Sequence, residues 1–259
     1  MGEPPCPGGG VANVTETIRP EDLRAIFFDA GETLVYPHPS FAELFSEVLR
    51  REGRIVDPST VQEIVSIYSK RFSDASRAED IPPRLWSISK ERSRAFWLEV
   101  YGNFLSDVGV AEGVDELAER LYEAFSELTN YRLHGDAVPT LERLQAGGYA
   151  LGVISNFEDW LERLLEALDV TRFFPVRVIS GVVGVEKPDP KIFRIALERA
   201  RVEPSASVYV GDHPYFDIEA ARRAGMVPVL IDRRGRYPDV DGIRITSLED
   251  LPTALGIEG

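Results

Sequence analysis

Hydrophobic residues along this chain follow two different spacings, which predict two kinds of structure. Between about residues 39 and 131, apolar side chains recur three and four positions apart, as at Phe41, Leu44 and Phe45. This spacing is typical of amphipathic helices. Helices are predicted over residues 40–51, 59–72, 87–104 and 114–128. No convincing strand interrupts them, so the segment is predicted to be all-helical.

From Gly135 onward, short apolar runs alternate with helical segments. Strands are predicted over residues 149–154, 176–179, 207–210, 227–231 and 243–245, with helices over 137–145, 159–168, 190–200, 218–223 and 248–255. Strands and helices that alternate in this way form a parallel sheet with right-handed helical crossovers. An earlier apolar run, residues 25–28, has no polar alternation and therefore predicts a strand buried on both faces.

Together these patterns predict an α/β protein, with a Rossmann-like parallel sheet core and an inserted all-helical domain. The core would comprise residues 21–36 and 133–259, and the helical domain residues 37–132. Residues 1–20 begin with many Pro and Gly residues and are predicted to be a disordered tail, because such a segment cannot build a packed element.

The charge and the cysteine content narrow the classes of function. A net charge of -14 argues against non-specific binding to nucleic acid or to anionic membranes, since both need a basic surface. No apolar run approaches the roughly 18 residues of a membrane span, and the start of the chain lacks the pattern of a signal peptide. The single cysteine, Cys6, excludes intramolecular disulfides and cysteine metal sites, so a cytoplasmic location is the simplest expectation.

Polar residues follow four successive apolar runs of the α/β part. In chain order they are Asp29, Ser155 with Asn156, Lys187, and Asp212 with Asp217. Each alone has an ordinary explanation as a turn residue, a helix cap or a solvated lysine. Because open parallel sheets bind their ligands at the carboxyl ends of the strands, the four together predict one site. Asp29 is its candidate nucleophile, and the Ser155 hydroxyl and Asn156 amide are suited to holding an oxyanion.

The order of these motifs resembles that of the haloacid dehalogenase superfamily of hydrolases, in the branch with a helical cap inserted after the first motif. The resemblance spans about residues 24–231. Its most specific parts are the segment 187–190, Lys-Pro-Asp-Pro, and the pair Gly211-Asp212 followed by Asp217. It implies that Asp29 attacks the substrate and forms an aspartyl intermediate, which water then hydrolyses.

The same resemblance implies roles for the other strand ends. Ser155 and Asn156 would bind the transferring phosphoryl group, and Lys187 would offset the charge on that group and on the nucleophile. Phosphoryl transfer depends mostly on positioning and charge stabilisation, so these roles are chemically coherent. The expected substrate is a small phosphorylated metabolite. The expected assembly is a monomer or a homodimer, with no nucleic-acid or membrane partner.

A Mg²⁺ site is also implied. Its ligands would be Asp29, the backbone carbonyl of Gly31 and Asp212, while Asp217 would support the metal or orient Lys187. Mg²⁺ is typically held by a few carboxylates together with substrate oxygens. The metal and Lys187 would explain how an acidic chain binds a phosphate.

The chain departs from the family pattern at Gly31. Phosphatases of this superfamily usually carry a second Asp at this position, which protonates the leaving group and later activates water. General acid–base catalysis contributes roughly 10²–10⁴-fold in rate, so the loss is substantial. Two hypotheses follow: Glu32 replaces the missing acid, or the natural substrate has a stable leaving group, as in an acyl phosphate or a phosphoanhydride.

Two further classes of function are compatible with these motifs. Dehalogenases of the superfamily also lack the second Asp and need no metal, but they usually lack the motif present here as Gly211-Asp212 with Asp217. A low-activity, phosphate-binding regulatory module is the other alternative, and the missing acid is its only support. The preferred prediction is a Mg²⁺-dependent hydrolase of a small phosphorylated metabolite.

Overall fold

The computed structural model of the chain describes residues 18–77 and 86–257, with the backbone alone over residues 69–77. Its strands are β1 (Ala25–Phe28), β2 (Val35–Pro37), β3 (Tyr131–Leu133), β4 (Ala150–Ser155), β5 (Val176–Ile179), β6 (Ser207–Gly211), β7 (Val227–Ile231) and β8 (Ile243–Ile245). Its helices are α1 (Phe41–Arg51), α2 (Pro58–Arg77), α3 (Lys90–Asp107), α4 (Val114–Phe125), α5 (Ala137–Ala146), α6 (Leu161–Ala167), α7 (Ser180–Val183), α8 (Pro190–Ala200), α9 (Ala220–Arg223) and α10 (Leu251–Ala254).

Six of these strands form one sheet, in the order β5-β4-β1-β6-β7-β8. Every neighbouring pair is parallel. The first strand lies between β4 and β6, and all four of its residues are buried. Alternate residues of a strand face opposite sides of a sheet, so Ile26 packs in one apolar cluster and Phe27 in another. The predicted α/β class, a Rossmann-like sheet with an inserted helical segment, is confirmed.

The inserted helices α1 to α4 have an apolar cluster of their own. Its centre is aromatic: Phe41 stacks on Phe125 with ring centroids 4.6 Å apart, and Phe104 lies edge-on to Phe41. The Ser40 hydroxyl accepts a hydrogen bond from the Glu43 backbone N–H and thereby starts α1. This helical insertion is therefore built around its own core rather than around the sheet.

Three features of the fold differ from the sequence-based expectations. A short antiparallel ribbon pairs β2 with β3 where the chain leaves and re-enters the sheet domain; strands of three residues are too short to show a period. The helix expected over 218–223 begins earlier, as a π-helix over Pro214–Glu219 that continues into α9, because the His213 backbone carbonyl accepts from both Asp217 and Ile218. Of the predicted tail, residues 1–17, with Cys6, lie outside the described residues, while Ile18 packs against the core.

Candidate active site

Parallel pairing brings three of the polar strand ends together. Asp29 directly follows β1, and Ser155 is the last residue of β4. Gly211 is the last residue of β6, and Asp212 directly follows it. Since β4 and β6 flank β1, these residues meet at one edge of the sheet. Lys187 reaches the same edge from the loop between α7 and α8.

The Lys187 ammonium group lies at the centre of a buried network. Its Nζ atom is 2.8 Å from Asp29 Oδ1, 2.6 Å from Asp217 Oδ1 and 2.9 Å from the Tyr209 hydroxyl oxygen. Lys187, Asp29 and Asp217 are each at most 7% exposed. The three N–H donors of the ammonium therefore each have an acceptor, which holds Lys187 in one position beside Asp29.

Asn156 holds the backbone of that lysine. Its Oδ1 accepts from the Lys187 backbone N–H at 2.6 Å, and its Nδ2 donates to the Lys187 carbonyl at 2.8 Å. Both ends of the side-chain amide are thus engaged with the chain. Ser155, in contrast, acts on Asp29, because its hydroxyl lowers the pKa of the Asp29 carboxyl, so the two neighbouring residues act on different members of the network.

Three carboxylates crowd this edge of the sheet. Asp29, Asp212 and Asp217 each offer one oxygen, and these atoms all lie within 4.8 Å of one another. Burial raises the pKa of Asp29 above its ordinary value; Lys187 opposes that rise, and the Asp217 charge adds to it. Burial also raises the pKa of Asp212, to which the charges of Asp217 and Asp29 contribute. The mutual repulsion of these carboxylates indicates an excess of negative charge at this edge of the sheet.

The donor set fits a hard divalent cation. Among the described residues, the only cations near the three carboxylates are Lys187 and Arg236, whose guanidinium is 3.9 Å from Asp212. Mg²⁺ prefers carboxylate oxygens and substrate phosphate oxygens. A bound cation would offset the repulsion that raises the pKa values of Asp29 and Asp212.

The residues after Asp29, the candidate nucleophile, leave an opening beside it. A Cβ built on Gly31 meets nothing within 4 Å, and the backbone there is not left-handed. The Glu32 backbone is in the left-handed region, with a φ of 55°. Its carboxylate is 3.1 Å from the Arg234 guanidinium. Both residues line the pocket beside Asp29. The space beside Gly31 is therefore open, with Glu32 at its margin.

The pocket lies between the strand ends and the helical insertion. Its volume is about 260 Å³. Its walls are mainly aromatic, and among them are Trp86, Trp97, Tyr101, Tyr122, Phe125 and Trp160. Asp29, Ser155 and Asn156 line it from the sheet side. A small organic group bound there would lie against the candidate nucleophile.

Tyr209 is a member of the network that the sequence pattern did not single out. Its hydroxyl accepts from Lys187 and lies 2.9 Å from the Ile154 carbonyl oxygen and 3.1 Å from Asp217 Oδ1, to one of which it donates. Burial raises the pKa of this hydroxyl well above its ordinary value, and the charges of Asp217 and Asp29 add to the rise. The sequence feature that could have indicated this contact is a tyrosine inside an apolar strand, because a buried hydroxyl needs a hydrogen-bond partner.

Two buried carboxylates of the sheet domain were also missed. Glu158 accepts from the Ser93 and Tyr122 hydroxyls, and Glu186 accepts from the backbone N–H and the hydroxyl of Ser87. Every one of these donors belongs to the helical insertion or to the segment that enters α3. The two carboxylates therefore hold the insertion against the sheet.

Gly211 permits the close approach of Asp217. A Cβ on Gly211 would lie 2.4 Å from Asp217 Cγ. We expect Gly211→Ala to displace the Asp217 carboxylate from Lys187 and to destabilise the protein by about 1–3 kcal/mol. Thermal unfolding measures this loss, with Gly135→Ala as the control because a Cβ there meets nothing within 4 Å. An unchanged melting temperature for Gly211→Ala would contradict the prediction.

The fold and the gathered strand ends define a Rossmann-like α/β enzyme class, and comparison with known proteins identifies the family. A family model described as haloacid dehalogenase-like hydrolase matches residues 23–225. "Haloacid dehalogenase-like hydrolase domain-containing protein 3" of Mus musculus is 31% identical over 212 residues, 81% of this chain and 82% of that protein. The chain belongs to the haloacid dehalogenase-like hydrolase family, which confirms the resemblance seen in its motifs.

Other relatives carry more specific names. A glyceraldehyde 3-phosphate phosphatase of Methanopyrus kandleri is 46% identical over 109 residues, 41% of this chain and 46% of that protein. The crystal structure of a 2-haloacid dehalogenase from Pseudomonas syringae is 28% identical with a TM-score of 0.56, covering 90% of this chain and 98% of that one. Within the described part of the chain, every helix is too short or too polar to cross a bilayer.

Proposed function

We propose that the protein is a Mg²⁺-dependent hydrolase of a small phosphorylated metabolite, acting through an aspartyl-phosphate intermediate on Asp29. One observation carries the proposal: a buried carboxylate nucleophile contacts a buried lysine beside two further carboxylates. Such a cluster combines a nucleophile with groups that bind positive charge and phosphoryl oxygens. The phosphatase relative from Methanopyrus kandleri supports the same class of substrate.

The chain's own residues account for the steps. An Asp29 oxygen attacks phosphorus, the bond from phosphorus to the leaving oxygen breaks, and that oxygen keeps the electron pair. Lys187 balances the charge that develops on the phosphoryl oxygens, and the Ser155 hydroxyl hydrogen-bonds to them. Water then attacks phosphorus, which releases phosphate and regenerates the Asp29 carboxylate. We assign Asn156, whose amide engages the lysine backbone, to positioning Lys187 at the phosphoryl site.

Asp29, Asp212 and the Gly31 carbonyl would hold the Mg²⁺ ion, and Asp217 would support it while orienting Lys187. When bound, the ion neutralises phosphoryl charge and orients the phosphate. Asp217 is suited to the supporting role because it is 1% exposed and accepts from Lys187 and from the His213 backbone N–H. Asp212 is more exposed than Asp29 and Asp217.

The steps above include no residue that protonates the leaving group. Glu32 borders the open space at Gly31 and is our candidate for the acid, although Arg234 engages its carboxylate. A substrate whose leaving group departs as a stable anion, such as an acyl phosphate or a phosphoanhydride, would need little protonation. Either explanation keeps the enzyme active without a second Asp.

The helical insertion is proposed to act as a cap. It supplies most of the aromatic wall of the pocket and is hydrogen-bonded to Glu158 and Glu186 of the sheet domain. A cap that closes in this way excludes water from the reacting centre and selects the substrate. We further propose a cytoplasmic monomer or homodimer, since a chain with one cysteine forms no internal disulfide.

Removing divalent metal is expected to lower phosphate release by at least about tenfold, because Lys187 and Arg236 are then the only described cations near three carboxylates and the phosphate. The measurement is phosphate release from acetyl phosphate and p-nitrophenyl phosphate with Mg²⁺, with EDTA, and with Mg²⁺ restored. Equal turnover in EDTA would contradict the metal role. No turnover under any condition would favour the regulatory-module alternative.

The dehalogenase alternative is tested in the same assay, because one solved relative of similar fold is a 2-haloacid dehalogenase. Chloroacetate replaces the phosphate ester, and halide release is measured. We expect none, since the carboxylates of Asp212 and Asp217 would repel the carboxylate of a haloacid in the absence of metal. Halide release without metal, at a rate above that of phosphate release, would replace the phosphatase assignment.

A further inference from the structure

The pocket beside Asp29 has an unusual charge balance for a site that binds phosphate esters. Three carboxylates line it, those of Asp29, Glu32 and Glu158, and its described lining contains no Lys, Arg or His. Lys187 approaches only the Asp29 end, where the phosphoryl group would lie. The rest of the pocket therefore disfavours a substrate whose leaving group already carries a negative charge before the bond to phosphorus breaks.

Glu158 is the carboxylate that the proposed mechanism does not use. It is 5% exposed, and its two oxygens accept from different hydroxyls, from Ser93 at 3.0 Å and from Tyr122 at 2.9 Å. Among the described residues no Lys or Arg forms an ion pair with it. A carboxylate has about four acceptor positions, so Glu158 keeps capacity for a further donor.

A buried carboxylate without a cationic partner is costly for the folded protein. Glu158 acts on a neighbouring group. Burial raises the pKa of the Tyr122 hydroxyl, and its hydrogen bond to Glu158 raises that pKa further. A positively charged ligand group in the pocket would compensate this charge. The free protein would then hold an uncompensated charge that the bound substrate neutralises.

The aromatic walls favour the same ligand. Trp97 stacks on Tyr101, and Trp86 lies edge-on to Trp97 with ring centroids 6.1 Å apart. Aromatic faces attract cations through the ring quadrupole, most strongly where water is excluded. They also pack well against flat apolar groups. At about 260 Å³, the pocket is smaller than the roughly 300–1,000 Å³ typical of sites for drug-sized ligands, so the group is small.

We propose, building on the phosphatase function, that the leaving group of the substrate is a small, mainly apolar group bearing one ammonium charge, with Glu158 as its counter-charge. The substrate class is thus a phosphorylated small amine. A phenol that carries an aminoalkyl chain suits both the walls and the missing acid, because a phenolate leaves more easily than an alkoxide. Glu158 acts here as a specificity-determining residue that contacts the substrate away from the reacting atoms.

Three aryl phosphates test this charge preference: tyramine O-phosphate, 4-ethylphenyl phosphate and 4-(2-carboxyethyl)phenyl phosphate. All three carry two saturated carbons on the ring, which end in an ammonium group, in no further group or in a carboxylate, so their phenol leaving groups are closely matched in acidity. We expect kcat/KM to be about tenfold higher for the cationic ester than for the neutral one, equivalent to about 1.4 kcal/mol. The anionic ester is expected to be the poorest substrate. Equal kcat/KM values for the three esters would overturn the proposal.

Glu158→Gln is the decisive variant. It removes the charge and keeps an amide oxygen that accepts from the helical insertion, so the cationic-to-neutral ratio should fall to about one. The matched control is Glu186→Gln, which neutralises the other carboxylate that holds the insertion but does not line the pocket. The control is expected to keep the wild-type ratio. If the cationic-to-neutral ratio is unchanged in Glu158→Gln, or falls equally in both variants, Glu158 is not the source of the charge preference.

Binding of tyramine separates this inference from the phosphatase assignment. Tyramine and its neutral analogue 4-ethylphenol are titrated against the protein while the fluorescence of the pocket tryptophans is followed. We expect wild-type protein to bind tyramine more tightly than 4-ethylphenol, and Glu158→Gln to lose the difference. Selective binding without hydrolysis of any ester would refute the proposed activity and support the cation site. Hydrolysis without selectivity in either assay would refute the cation site alone.

Discussion

Replacing Asp29 with Asn is expected to lower phosphate release by at least about 10³-fold, because the amide cannot form the aspartyl-phosphate intermediate. The fold should tolerate the change. Burial and the nearby Asp217 charge both raise the pKa of Asp29, so a neutral residue removes part of the repulsion, while Lys187 keeps Asp217 and Tyr209 as partners. The measurements are phosphate release from acetyl phosphate and the melting temperature.

The control for this prediction is Asp212→Asn. It neutralises a carboxylate of the same cluster without removing the nucleophile, so it should raise the Mg²⁺ concentration needed for activity and leave covalent phosphorylation possible. Trapping the phosphorylated protein by acid quench and mass spectrometry distinguishes the two variants. A phosphorylated species in Asp29→Asn, or activity within tenfold of wild type, would assign the nucleophile to another residue.

Replacing Gly31 with Asp is expected to raise kcat for substrates with poor leaving groups by about 10²-fold. The side chain has room, since a Cβ at this position meets nothing within 4 Å and the backbone is compatible with an L-residue. It would place a carboxylic acid on the pocket lining, two residues after Asp29. Acetyl phosphate, whose leaving group needs little protonation, should gain little.

Gly31→Asn is the matched control, because it has the same size and cannot supply the proton. We measure turnover of an alkyl phosphate and of acetyl phosphate by wild type, Gly31→Asp and Gly31→Asn. An equal gain in both variants would point to packing rather than acid catalysis. Glu32→Gln completes the set: if Glu32 replaces the missing acid, this variant loses alkyl-phosphate turnover, and wild-type turnover would refute that role.

Some properties of the site follow from local sequence. The continuous apolar run before Asp29 and the alternation after Gly135 were enough to predict a parallel sheet. Parallel strands bring their carboxyl ends to one edge, so Asp29, Ser155 and Asp212 could be grouped without knowing any contact. Lys187 was grouped with them by the same rule, but only the resemblance to the family gave it a role beside Asp29, since a lysine in a loop is usually solvated.

Other properties depend on contacts between residues far apart in the chain. Asn156 was expected at the phosphate, whereas its amide is engaged by the backbone of a residue 31 positions away. Tyr209 joins the network only because β6 lies beside β1 and faces Lys187. Neither contact leaves a periodic signal in the sequence, because each depends on how two separate segments pack.

The sequence by itself determined the family, the α/β class and the gathering of polar strand ends, because each of these follows from local periodicity and from the rule that parallel strands share one edge. Only the tertiary structure decided what surrounds Asp29. The open space at Gly31, the aromatic pocket and the buried carboxylate of Glu158 are formed where the helical insertion meets the sheet. Such features depend on the shape and charge between two packed units, which no single segment encodes.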